Sequence, residues 1–253
     1  MREVLAAITE RKRAFARLPF FAFLADESLT PEQRLAFYPC IAHWIMSFAD
    51  LNKYFLRAEP TTDEHQQRVN AFSHEDDDHW QLYLEDFQKL GFDQLHTGAG
   101  WLKFLWSDET RASRMLSYRI ANLIMGARSV ERLAIIESME EAADVFFPLT
   151  VQLATQVQER TGTELRYLGH FHSALEAAHT GAGDHDSLAR IELDEETRRR
   201  TLEMVDEVFG LFSDWAEEVL RYAVAQLGDK LPLTFAPPNA ADAEQLTKLS
   251  SVM

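Results

Sequence analysis

The sequence predicts an all-α protein, a single-domain bundle of about seven helices. Apolar residues recur with helical period along nearly the whole chain. No run alternates with period two between hairpin turn signals, and no shift in composition marks a domain boundary. Residues 2–16 read as an amphipathic helix. Thr30-Pro31-Glu32-Gln33 combines a capping box with proline at the first helical position, and opens a long helix to about Arg57 that Pro39 should bend. A third helix runs from about Thr62 to Leu90, with Gly91 as its stop.

A turn containing Gly98 and Gly100 leads into a short apolar segment, Trp101 to Trp106. The helical pattern resumes from Glu109 to about Arg160, broken or kinked near Gly126 and Pro148. Gly162 separates it from a helix over Glu164–His179, and Gly181 and Gly183 mark a loop. A long amphipathic helix follows over Leu193–Leu227, closed by Gly228. Residues 1–228 therefore read as one helical domain. Residues 229–253, with Pro232, Pro237 and Pro238 among small and polar side chains, read as a loosely ordered tail.

The chain has 253 residues, 46% hydrophobic and 26% charged, an ordinary globular balance able to bury a full core. Its formal charge of −16 argues against a nucleic-acid partner, because such binding needs basic patches that displace counterions from phosphates. Short basic runs such as Arg11-Lys12-Arg13 and Arg198-Arg199-Arg200 read as solvated helix faces. The lone cysteine, Cys40, rules out an intrachain disulfide and a thiolate metal site, and is expected to be a buried inert thiol. The N-terminus is too charged for a signal peptide, and no stretch approaches the ~20 apolar residues of a membrane span. A cytoplasmic protein with no membrane partner is the expectation.

The most telling run is His172-Ser-Ala-Leu-Glu176-Ala-Ala-His179. At 100° per helical residue its two imidazoles and carboxylate fall at about 0°, 40° and −20°, on one face. Nitrogen and oxygen donors on one stripe suit Fe, Mn or Zn, and one helix can supply half of a two-metal site. His170 should face away.

Two other places offer the remaining donors. In His74-Glu75-Asp76-Asp77-Asp78-His79, Glu75 or Asp76 could share a face with His79, and Trp80, Leu82, Tyr83 and Phe87 then continue as a core face. In Glu137-Ser-Met-Glu140-Glu141, Glu140 keeps register with Leu133, Ile136, Ala143 and Phe147, so it is expected to point inward, with Glu137 the alternative. A buried carboxylate needs a metal or a cation beside it. The plain alternatives are an acidic surface for the first place and an arginine partner, Arg128 or Arg132, for the second.

With these three sites the chain resembles the haem-oxygenase-like dimetal oxidases, the iron-containing redox enzyme family, over most of residues 10–225. The resemblance rests on the Glu75…His79 helix with Trp80 and Leu90-Gly91, the Glu137/Glu140 helix, and His172-x3-Glu176-x2-His179. It implies a haem-oxygenase-like fold and a non-haem diiron centre held by Glu75, His79, Glu140, His172, Glu176 and His179, with Asp76 and Glu137 as alternative ligands. It further implies two Fe(II) ions or an Mn/Fe pair, no haem, O2 as co-substrate, and oxidation of an amino-acid-like, fatty-acid-like or natural-product substrate.

Relatives sharing that fold fit less well. No histidine precedes His43, where a haem ligand would stand, and Cys40 lies too early for a thiaminase nucleophile. A non-catalytic helical binding protein and a cofactorless thiaminase-like hydrolase stand as alternative functions. Tyr83, Tyr118, Tyr167 and Trp80 are expected to pack in the core, with places on the site wall as the alternative, and His43 is expected to be a satisfied core histidine. Apolar helix faces leave room for a homodimer.

Overall fold

A computed structural model describes residues 1–75, 78–178 and 185–227, the side chains of 176–178 excepted. Asp76, His179, the Glu176 side chain and the tail 229–253 therefore lie outside the described residues. Those residues form twelve α-helical segments and no strand, ten of the segments being seven residues or longer. The all-α expectation stands, although the segments outnumber the expected seven. In chain order they are α1 (Arg2–Phe15), α2 (Pro19–Ala25), α3 (Pro31–Arg34), α4 (Ala42–Asp50), α5 (Glu64–Glu75), α6 (Trp80–Lys89), α7 (Gly98–Leu105), α8 (Arg111–Gly126), α9 (Ser129–Thr161), α10 (His170–Ala178), α11 (His185–Ala189) and α12 (Glu195–Leu227). None is long and apolar enough to cross a membrane.

Local chemistry sets many of the boundaries. The Thr30 hydroxyl accepts from the Gln33 amide, and the Gln33 side chain accepts from the Thr30 amide at 2.9 Å, closing the capping box. The helix it opens does not run unbroken to Arg57. Pro39 lies in a 3₁₀ stretch over Leu35–Ile41, α4 follows, and a π-helical turn covers Leu51–Leu56. The backbone stays helical while its hydrogen-bond register shifts at each junction. Gly91 and Gly162, both left-handed with φ near +77° and +75°, terminate α6 and α9 where the sequence places their stops. Between α8 and α9 the break falls at Ala127–Arg128, whereas α9 continues through Pro148.

The core lies where α12 and α9, each 33 residues, pack on each other and on α1, α2 and α8. An aromatic cluster fills the junction. Phe20 contacts Phe37, Phe21 and Trp215 at ring separations of 5.3, 5.5 and 5.8 Å, and Phe146 lies 6.0 Å from Trp215. α5 packs on α9, α6 on α4, and α10 on α9.

Candidate metal centre

The last helix of the motif begins later than its periodicity suggests, at His170 instead of Glu164. The reason is Asp86 of α6, which is fully buried and accepts the backbone N–H groups of Arg166, Tyr167 and Leu168 at 2.7, 2.8 and 3.0 Å. Amides committed to that carboxylate cannot make helical bonds. Burial raises the Asp86 pKa above the ordinary carboxylate range, against the pull of the three amides. Gly169 completes the turn, because a Cβ there would collide with the Leu165 carbonyl oxygen. The His172 amide then bonds back to the Arg166 carbonyl at 3.1 Å.

That turn aims His172 inward. The side chain is 2% exposed, stacked on Tyr167 at 4.7 Å and edge-on to Phe147 at 4.6 Å. Its Nε2 lies 3.1 Å from Nδ1 of His79, the residue immediately before α6. Both histidines line a cavity of about 90 Å³ that is also lined by Glu140 of α9. Three of the expected ligands, from three separate parts of the chain, thus share one wall.

Apart from these three, the wall is built from aromatic and aliphatic side chains, among them Trp44, Phe48, Phe146 and Trp215, and from Tyr167. Among the described residues it includes no lysine or arginine. Glu75 is half-buried at the end of α5, off that wall. His170 is exposed, as its angle on the helix requires.

Glu137 and Glu140 face different partners. Glu137 is buried, but its carboxylate lies 2.9 Å from Nε2 of His185 on α11. Glu141 lies 3.6 Å from the same nitrogen and also pairs with Lys12 of α1, which reaches Asp144 at 3.1 Å. The ligand atoms of Glu137, Glu141 and His185 all lie within 4.8 Å of one another, so this group could hold a metal ion. Among the described residues no other group of three reaches that closeness, and Glu140 shares the cavity with His79 and His172 at longer range. Burial pushes the Glu137 carboxyl above its ordinary range, His185 opposes the push, and Glu141 adds to it. The i, i+4 spacing of Glu137 and Glu141 was visible in the sequence, whereas His185 carried no signal that would join it to them. The arginines considered as partners are engaged elsewhere, Arg128 with Thr197 and Arg132 with Gln66.

The remaining candidates sort cleanly. Tyr83 is buried, Tyr167 and the half-buried Trp80 line the cavity, and Tyr118 is half exposed and so belongs to the surface. Tyr118 meets the edge of His43, whose Nδ1 lies 3.3 Å from the Ser117 hydroxyl; burial lowers the His43 pKa, as for a satisfied neutral imidazole off the cavity wall. Cys40 is buried, its thiol donates to the Glu109 carbonyl at 3.2 Å, and burial pushes its pKa far up, which suits an inert thiol and no nucleophile. Set against models of known protein families and against curated proteins, the sequence matches none.

Proposed function

We propose that this chain is a non-haem diiron oxidase or oxygenase of the haem-oxygenase-like dimetal family, using O2 to oxidise a small organic substrate. The observation that carries the reading is the meeting of His79, Glu140 and His172 on the wall of one mainly apolar cavity. The donor set fits the group. Imidazole nitrogen and carboxylate oxygen are the ligands of Fe(II) and Mn(II), and a wall with these donors and, among the described residues, no lysine or arginine favours a dication.

In this reading His79, Glu140 and His172 act with Glu75, Glu176 and His179 to hold two Fe(II) ions or an Mn/Fe pair. Glu140 serves from α9 in preference to Glu137, whose carboxylate is held by His185. The bound metals supply electrons and open coordination positions for reducing O2. The chain itself supplies orientation and dryness. Tyr167 and Phe147 fix the His172 ring between them, Asp86 anchors the turn that presents it, and the aromatic wall excludes water from the substrate's place.

The test is metal content joined to O2 consumption. Full-length protein loaded anaerobically with Fe(II) is expected to retain between one and two irons per chain and to consume O2 on mixing. His172→Ala and His179→Ala are each expected to abolish both. Iron far below one per chain, or O2 uptake unchanged in either variant, refutes the reading.

A further inference from the structure

α4 gives Trp44, Ile45, Phe48 and Ala49 to the cavity wall, and its other side belongs to an apolar face open to solvent. On α8, Met115, Tyr118 and Met125 are all exposed and fall within about 80° of one another around the helix. Trp106, just after α7, and Tyr118 both lie edge-on to the His43 ring, at 6.0 and 5.4 Å, so α7, α8 and α4 meet here. Met46 of α4 and Tyr54 of the π-helical turn are exposed two turns apart, and α8 packs on both stretches. Tyr54 is 74% exposed and Trp106 62%. Together the six side chains show roughly 700 Å² to solvent. Single exposed apolar residues are ordinary, but the largest apolar patch of a typical monomer is about 300–600 Å².

Charge decides what this face can meet. The chain carries 25 Lys and Arg against 41 Asp and Glu, so two copies repel over most of their surface. Residues 42–57 and 98–126, which build the face, reverse that balance with six basic side chains against three acidic, and α8 has three arginines and no acid. Exposed Arg111 and Asp108 form no ion pair among the described residues, so each can serve the other's counterpart across a two-fold axis. We propose that this face is the interface of a symmetric homodimer, in which α8 and the outer side of α4 pack on the same elements of a second copy. Tyrosine, tryptophan, methionine and arginine are the side chains enriched at interface centres. The apolar area with a polar rim matches the ~800 Å² per partner of a standard interface. A basic partner would be drawn to the acidic remainder of the surface instead. The interface lies on the side of α4 away from the cavity, so it neither needs iron nor rests on the oxidase reading.

The experiment is sedimentation equilibrium of the full-length protein across a wide concentration range. Wild-type protein is expected to sediment at twice the chain mass, with a dimer Kd below about 1 μM. Tyr118→Glu and Met125→Glu each set a carboxylate on the face opposite its own copy, and should each weaken the dimer at least tenfold. Tyr118→Phe should keep it. Both glutamate variants alter exposed positions, so their circular dichroism and their iron content should match wild type. In wild-type protein, and so independent of how the variants fold, acrylamide quenching of the emission contributed by Trp106, taken as the difference from Trp106→Phe, should fall as the dimer forms. A chain mass at every concentration, assembly beyond two copies, a dimer indifferent to both glutamates, or Trp106 equally accessible in dilute and concentrated protein overturns the proposal. A dimer that holds no iron would refute the oxidase reading and leave this one standing.

Discussion

His79 and His172 meet with ring planes 88° apart and their facing nitrogens 3.1 Å from each other, although they come from segments 93 residues apart in the chain. One imidazole N–H is donated to the other's lone pair, so the two side chains hold each other in place across the cavity. The rings differ in what surrounds them. His172 is enclosed by Tyr167 and Phe147, whereas His79 is only half-buried. In metal-free protein His172→Ala is therefore expected to cost about 2–4 kcal/mol, a cavity plus a lost bond, and His79→Ala about 1–2 kcal/mol. Urea denaturation measures both, and equal costs would contradict the difference in burial. Both variants should lose iron alike.

Asp86 is expected to act on the candidate centre without touching it. Its carboxylate holds the amides of residues 166–168, and the Tyr167 ring so placed stacks on His172. Asp86→Asn turns one acceptor oxygen into a donor facing amides, and should destabilise the protein by about 2–3 kcal/mol. A purely structural role would end there. A positioning role predicts also that Fe(II) affinity falls at least tenfold in variant protein still folded at the assay temperature, with a changed absorption spectrum of the oxidised centre. Unchanged affinity and spectrum would confine Asp86 to folding.

The same carboxylate shows why some features were legible in the sequence and others were not. The Thr30 capping box and the stops at Gly91 and Gly162 are local, so a few adjacent residues declare them. The register of Glu140 with Leu133 and Phe147 pointed to the cavity wall it lines, yet Glu140 is only half-buried and Glu137, the alternative, is the more deeply buried carboxylate. The late start of α10 was hidden, since its cause is a side chain 80 residues upstream. Pro39 pointed to a bend, whereas the structure shows shifts of helix type, and whether these are 3₁₀ or π turns depends on packing around residues 35–56. His185 was silent for the same reason, since it gains meaning only from Glu137 and Glu141.

Tyr38 and Tyr83 form a reciprocal clasp between the 3₁₀ segment and α6. Each hydroxyl donates to the other residue's carbonyl, at 3.1 and 3.0 Å, and both side chains are fully buried. Burial pushes both phenol pKa values well up, so they remain neutral donors throughout the working range. Tyr38→Phe or Tyr83→Phe leaves one buried carbonyl short of its partner, at a cost of about 1 kcal/mol each. The double variant should depart from the sum, because the two rings lie 4.6 Å apart and residues in contact couple. A neutral single variant in urea titration would show that the clasp adds nothing to stability.

Lys12 is the resident cation of the second acidic cluster, and its titration sets a pH limit on stability. Burial lowers the pKa of this ammonium, but Asp144 and Glu141 more than offset that, so the value in the folded chain lies above the ordinary 10.5. For a base whose folded pKa is raised, the stabilisation is complete below the unfolded value. It fades as pH climbs through the folded one. Lys12→Met should therefore destabilise the chain by about 2 kcal/mol at pH 7, since Glu141 is left beside Glu137 and Asp144. The gap to wild type should hold to about pH 10 and narrow above it. With the lysine gone, Glu137, Glu141 and His185 are the cluster's means of holding a cation. Millimolar Mn(II) should then raise the melting temperature of Lys12→Met more than that of wild type, and adding His185→Ala should cancel the gain. A metal effect equal in all three proteins would mean that the cluster is an ion-pair network and not a cation site.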